Sequence, residues 1–202
     1  AVFRLALIGA AMARPFRRFF PGRLGAMLAL APDKIAPPAD VDRPQIFKAI
    51  GERQARVVLM SGCAQQVLRS SINEATVRVL TRHGCEVVIA NGAGCCGALV
   101  HHMGREDDAH AAAKRNIAAW ERVERESGGI DAIVINASGC GTTVKDYGWM
   151  LRLDSAWADR AKRYGGLAKD VTEVMTGLDV APKLETDKRI RVAYHSACSM
   201  QH

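Results

Sequence analysis

From Arg56 onward, short apolar runs alternate with longer stretches whose apolar positions recur at helical spacing. That is the pattern of βα units on a parallel sheet. It predicts strands at Val57–Met60, Glu86–Ala90 and Ala132–Asn136, with a further strand at Ile190–Tyr194 beyond a linker containing Pro182. It predicts a helix over Ile72–His83 with Ile72, Ala75, Val79 and Leu80 inward, and one over Asp107–Glu126 with Ala111, Ile117, Ala118 and Val123 inward. Gly84 and the pair Gly128–Gly129 stop these two helices, and further helices are expected at Ser155–Tyr164 and Ala168–Thr176. Residues 1–50 differ. There apolar and basic residues mix without strand periodicity, and Pro15, Pro21, Pro32, Pro37, Pro38 and Pro44 interrupt any long helix, so this part reads as a helical, basic linker. The fold class is α/β, an open and mainly parallel sheet.

One short segment recurs. Arg56-Val-Val-Leu-Met-Ser-Gly-Cys63-Ala-Gln-Gln66 returns as Arg191-Val-Ala-Tyr-His-Ser-Ala-Cys198-Ser-Met-Gln201, about one domain length later. The expected organisation is a linker at 1–50, a first domain at 51–182, and at 188–202 the start of a truncated second copy. A lone strand at Ile190–Tyr194 cannot bury its faces, so the chain is expected to aggregate more readily than one stopped near Pro182.

Charge and composition narrow the classes. With 49% hydrophobic and 24% charged residues the chain is globular rather than disordered. Its longest uncharged apolar runs, Leu5–Ala13 and Leu24–Ala31, fall well short of the roughly 20 residues that span a bilayer. The net charge of +7 is uneven, since Arg4, Arg14, Arg17, Arg18 and Arg23 all precede the first acidic residue, Asp33. Such an arm suits an anionic membrane face, an acidic partner or nucleic acid, or is simply a solvated helix face. Nucleic acid is disfavoured, because no recognised binding motif is present and aromatic residues make up only 5% of the chain.

Five of six cysteines follow predicted strands: Cys63, the adjacent pair Cys95 and Cys96, Cys140, and Cys198. Loops after the carboxyl ends of parallel strands share one edge of the sheet, which brings these thiols together. Cys85 opens a strand at the opposite edge and reads as a small core residue. Four thiolates at one edge can hold an iron–sulfur cluster or a zinc ion, or form disulfides. Zinc is disfavoured, because 31 residues separate Cys63 from Cys95 and 43 separate Cys96 from Cys140, with no local C-x(2–4)-C knuckle. Adjacent cysteines address one site only where the backbone turns, and Gly92, Gly94 and Gly97 supply that freedom. Amides aimed at the site, and a helix starting beyond Gly97, would stabilise a thiolate-rich centre. A multi-iron cluster accommodates vicinal cysteines better than one ion does.

These residues carry a resemblance. Asn91-Gly-Ala-Gly-Cys95-Cys96-Gly97-Ala-Leu-Val-His101-His102 and Ser138-Gly-Cys140-Gly-Thr-Thr143, with Cys63 and His195-Ser-Ala-Cys198, resemble the CCG cysteine-rich domains of the heterodisulfide reductase B, lactate utilisation, anaerobic glycerol-3-phosphate dehydrogenase C and glycolate oxidase iron–sulfur subunits. Ser61-Gly-Cys-Ala-Gln65, His101-His-Met-Gly104 and Thr142-Thr-Val-Lys-Asp-Tyr-Gly148 are most similar to the last of these. The resemblance spans residues 56–202, and it would place residues 1–50 after an absent ferredoxin-like domain. It implies an electron-transfer subunit of a glycolate oxidase, with a 4Fe-4S cluster on Cys63, Cys95, Cys96 and Cys140, and Cys198 as a metal ligand of the second copy. It also implies FAD on partner flavoprotein subunits only, electrons passing towards quinone, and a cytoplasmic location, peripheral on the inner face of the cell membrane. The fuller family pattern ends in C-x-x-C, whereas Thr143 stands three positions after Cys140. Four ligands fall short of the five used by the heterodisulfide enzyme's non-cubane cluster, which counts against disulfide reduction.

Other readings stay open at this point: a thiol–disulfide oxidoreductase cycling Cys95 and Cys96, a scaffold held by structural metal, and a lactate-utilisation or glycerol-3-phosphate dehydrogenase subunit. His101 and His102 are candidate donors to cluster sulfur, and Lys145 and Tyr147 candidates to line the same edge. Trp120, Trp149 and Trp157 read as core or interface anchors.

Overall fold

Three apolar runs form the middle of one sheet because they are buried on both faces, the condition that parallel strands between helical layers impose. A computed structural model describes residues 2–178 other than 33, 34 and 36, together with residues 191 and 193. The helices α1 (Val2–Ala13) and α2 (Arg23–Leu30) come first, joined by a 3₁₀ segment at Arg14–Phe19. The strand β1 (Gln45–Phe47) follows, then β2 (Ala55–Leu59), α3 (Gln65–Leu68), α4 (Ser70–Arg82) and β3 (Cys85–Ile89). Next come α5 (Ala98–His102), α6 (Glu106–Ser127), β4 (Ala132–Ile135), α7 (Ser138–Lys145) and α8 (Tyr147–Met150). The last described elements are α9 (Ala158–Gly166), β5 (Ala168–Asp170) and α10 (Val171–Gly177).

The sheet order is β1-β3-β2-β4-β5, parallel throughout except for β1, which runs antiparallel to β3. The chain moves outward from β2 to β3 and then returns past β2 to β4, so the winding reverses at β2. Strand-end loops on either side of such a reversal leave a crevice between them. Alternate strand residues feed two cores. Val58, Val88, Ile133 and Ile135 pack with α6, α8 and α9, while Val57, Leu59, Val87, Ile89 and Val134 pack with α4 and α10. Cys85 lies fully buried in the second core, at the opposite edge from the other described cysteines.

The helix punctuation follows local chemistry. Gly84 adopts φ +78° just beyond α4, and Gly128 closes α6 in the left-handed conformation at φ +81°. Glu106, Asp107 and Asp108 occupy the first turn of α6, where acidic residues complement the helix dipole.

Four expectations are corrected. Ala168–Asp170 is not helical but forms β5, pairing with β4, because Asp170 starts α10 with a capping box instead. Its carboxylate accepts from the Thr172 amide at 2.8 Å, while Glu173 accepts from the Asp170 amide at 2.7 Å. The first fifty residues are helical in part but also supply β1, so the sheet begins before residue 51. The inward face of α4 is polar: Ser70, Asn73, Thr76 and Thr81 are buried with Val77 and Leu80, whereas Ile72 and Val79 are exposed. On α6 the inward set is Ala109, Ala112, Ala113, Asn116, Ile117, Ala119, Trp120 and Val123, while Ala118 is half-buried and Ala111 faces outward. The strand expected at Ile190–Tyr194, and the second copy at 188–202 with Cys198, lie outside the described residues apart from Arg191 and Ala193.

Candidate metal centre

The thiol edge starts from three strand ends. Cys63 lies in the exposed turn after β2, Cys95 and Cys96 lie in the loop after β3, and Cys140 is the third residue of α7 after β4. All are free thiols, and Cys96 is the most buried of the four, at 3% exposure. They lie within electrostatic reach of one another in turn: Cys63 with Cys95, Cys95 with Cys96, and Cys96 with Cys140.

The backbone turns at the vicinal pair as the glycines require. Gly92 has φ +86° and Gly97 φ +89°, while Gly94 keeps an ordinary φ. At Gly97 the need is double, since a Cβ there would stand 3.2 Å from both the Ala109 carbonyl oxygen and the Ala112 side chain. This turn aims two amides at sulfur: Gly97 N–H donates to Cys95 Sγ at 3.4 Å, and Ala98 N–H donates to Cys96 Sγ at 3.5 Å.

Two buried side chains hold the loop from behind. Asn116 accepts from the Gly94 amide at 2.8 Å and donates to the Cys95 carbonyl at 3.0 Å. Its amide also donates to the Tyr147 hydroxyl at 3.0 Å, and Tyr147 donates to the Cys96 carbonyl at 2.8 Å. Both side chains are fully buried, so these bonds are made away from water. Burial raises the Tyr147 phenol above its ordinary range despite the bond to Asn116, and the hydroxyl stays protonated as a donor.

A second network joins the other two loops. Asn73 donates to the Ser61 carbonyl at 2.9 Å and to Asp42 at 2.6 Å, and Asn136 donates to Thr76 at 2.9 Å and to Asn73 at 3.0 Å. Ser61 precedes Cys63 and Asn136 precedes Cys140, so the buried face of α4 sets the spacing of two cysteine loops.

Mutual contact splits the thiols electrically. Hydrogen bonds from Cys63 and then Cys96 hold the Cys95 thiol well below its ordinary range, helped by the Gly97 amide and Arg115. Cys140 is likewise lowered by its bond from Cys96. Cys63 is raised chiefly by donating to Cys95, and Cys96 by sharing its one proton between Cys140 and Cys95. Four thiolates in such proximity repel one another, so full ionisation calls for a cationic centre between them. Among the described residues, no three Cys, His, Asp or Glu side chains converge as a single ion requires. A chain of thiols spread over three loops suits a group with several metal corners, and the donor set is all sulfur, as iron–sulfur clusters use.

The remaining candidates lie elsewhere. His101 and His102 are exposed, and His101 lines a cleft with Glu106, His110 and Trp149. Lys145 pairs with Glu173 at 3.0 Å. Trp120 is a core anchor stacked near Tyr147, whereas Trp149 is 67% exposed with Arg152 over its ring. Trp157 is half-buried beneath Arg160. Asn116 was missed by sequence reasoning. Its only signal is an amide amid the Ala112, Ala113, Ile117 and Trp120 face of α6.

The α/β sheet thus brings thiols from three strand-end loops to its winding reversal. Residues 57–145 match the CCG cysteine-rich domain. Over its full length the chain is similar to the glycolate oxidase iron-sulfur subunit of Escherichia coli K12, 37% identical over 204 residues that cover 46% of that protein. It is 33% identical over 188 residues to the probable glycolate oxidase iron-sulfur subunit of Bacillus subtilis, covering 92% of this chain and 41% of the relative. Lactate utilization protein A of Bacillus licheniformis is 30% identical over 150 residues, 72% of this chain and 58% of that protein. The chain thus spans about half the length of the curated relatives it matches. No solved structure matches.

Proposed function

We propose that this chain is an electron-carrying, iron–sulfur part of a glycolate oxidase. The observation that carries the reading is the gathering of Cys63, Cys95, Cys96 and Cys140 at one sheet edge, with two backbone amides directed at their sulfurs. These four residues would hold the cluster, with 4Fe-4S the form that four thiolates suit; Cys198 would serve the second copy. When bound, such a cluster supplies one-electron transfer at a potential tuned by sulfur hydrogen bonds and solvent exposure. The chain's own residues do the positioning. Gly97 and Ala98 amides donate to sulfur, Asn116 and Tyr147 fix the vicinal loop, and the Asn73–Asn136 network fixes the other two.

The reading assigns oxidation of glycolate to glyoxylate to FAD-carrying flavoprotein subunits. Each glycolate gives up two electrons and two protons there. This chain receives the electrons on their way to membrane quinone, from a peripheral position on the cytoplasmic face. No described helix is long and apolar enough to cross a membrane. The likeness to lactate utilization protein A favours a second reading, in which the 2-hydroxy acid is lactate.

Anaerobic purification followed by iron and acid-labile sulfide analysis tests the cluster. Equal iron and sulfide with a broad visible band is the expected result, and a colourless, iron-free protein after reconstitution overturns it. Glycolate and lactate turnover by the assembled complex separates the two substrates, while turnover by this chain alone would refute the electron-carrier role.

A further inference from the structure

We propose that residues 2–31 form a seat that rests on an anionic lipid surface. The inference deepens the membrane placement proposed above and rests on that reading, but its test needs no iron. In α1, Leu5, Ile8 and Met12 follow one another at helical spacing as a single stripe, and all three are exposed, Met12 to 73%. The 3₁₀ segment presents Phe16 and Phe19 to solvent, and neither it nor α2 has a single buried residue.

This is an ordered fold-back. Gly25 lets α2 approach the 3₁₀ segment so closely that a Cβ there would stand 2.3 Å from the Phe20 carbonyl oxygen. The basic residues interleave with the apolar ones: Arg17, Arg18 and Arg23 are exposed within the same stretch, and no acidic residue occurs before Asp33. A protein interface gathers its apolar residues at a centre and its charges at a rim. Interleaved arginines and large apolar side chains instead match a headgroup layer, where apolar groups dip into the acyl boundary and cations meet lipid phosphates.

The seat has a place relative to the thiols. Arg4 of α1 donates to the Gln66 carbonyl at 3.3 Å, and Gln66 lies in α3, three residues after Cys63. A bilayer under α1 and α2 therefore lies beside the cysteine edge, where an electron carrier meets a lipid-soluble acceptor.

Sedimentation of the full chain with phosphatidylglycerol-containing vesicles, against pure phosphatidylcholine vesicles, tests the proposal. Binding is expected only to the anionic vesicles and should weaken with salt. Arg17→Gln with Arg18→Gln should weaken it roughly 30-fold, two surface charges' worth. Arg78→Gln with Arg82→Gln on the exposed face of α4 changes net charge equally and should leave it unaltered. Phe16→Ser with Phe19→Ser should remove the part of the binding that resists salt. No preference for anionic vesicles, no binding at all as an acidic-protein docking arm would show, or equal weakening by the α4 pair would each overturn the seat. Iron content measured on the same samples keeps the readings apart. Lost vesicle binding with iron retained defeats the seat alone, and lost iron with binding retained defeats the cluster alone.

Discussion

Replacing Asn116 by alanine should unfasten the vicinal-cysteine loop, and the structure sets the size of the effect. The substitution removes three hydrogen bonds made in a buried setting: from the Gly94 amide, to the Cys95 carbonyl and to the Tyr147 hydroxyl. At about 1 kcal/mol net for each bond, the loss is about 3 kcal/mol, and the orphaned Gly94 amide adds to it. For a chain of this size that lowers the melting temperature by about 6–12 °C. Tyr147→Phe removes one hydroxyl with two bonds, for about 2 kcal/mol. Because the two side chains share a bond, the double variant should cost about 1 kcal/mol less than the sum of the single ones. Denaturant unfolding followed by circular dichroism measures all three, and anaerobic reconstitution measures iron. The expected signature is iron loss with Asn116→Ala while the fold persists below its midpoint. A cost under about 1 kcal/mol, or additive single variants, would show that the clamp does not hold the loop.

The other predictions are narrower. Cys96→Ser should abolish iron retention, whereas Cys85→Ala, at the far edge of the sheet, should keep iron and cost on the order of 1 kcal/mol for a small buried side chain; equal iron loss from both would refute the ligand assignment. Gly97→Ala should lower the unfolding midpoint by more than 1 kcal/mol equivalent, about what a left-handed residue costs, because its Cβ also meets α6. Gly139→Ala in α7 meets nothing within 4 Å and should be neutral or slightly stabilising in the same assay. The Arg163 guanidinium, bonded to Glu124 at 2.7 Å, holds that carboxyl below its ordinary 4.5. A lowered folded value means the contribution is complete above about pH 4.5 and lost as pH falls through the lowered value. For a partly exposed pair it is worth under about 1 kcal/mol, and Glu124→Gln should flatten acid-range stability by that amount.

The sequence alone determined the strand cores, the helix ends and the coincidence of cysteines with strand ends. Each depends on local chemistry: continuous apolar runs at Val57–Met60 and Ala132–Asn136, glycine at Gly84 and Gly128, and a repeated order of strand then thiol. From those, the fold class and the sharing of one edge by Cys63, Cys95, Cys96 and Cys140 followed. The short strands β1 and β5 were illegible, because three residues such as Ala168-Lys-Asp170 carry no period and become strand only when β4 offers an edge to pair with. The face of α4 was misread for a related reason. Apolar spacing pointed to Ile72 and Val79, yet the tertiary structure buries Asn73 and Thr76 because Ser61, Asp42 and Asn136 converge there to satisfy them. Asn116 belongs with these. A polar side chain inside a helix looks unfavourable until distant loops bring it partners, and only the packing of α6 against the Cys95–Cys96 turn and Tyr147 supplies them.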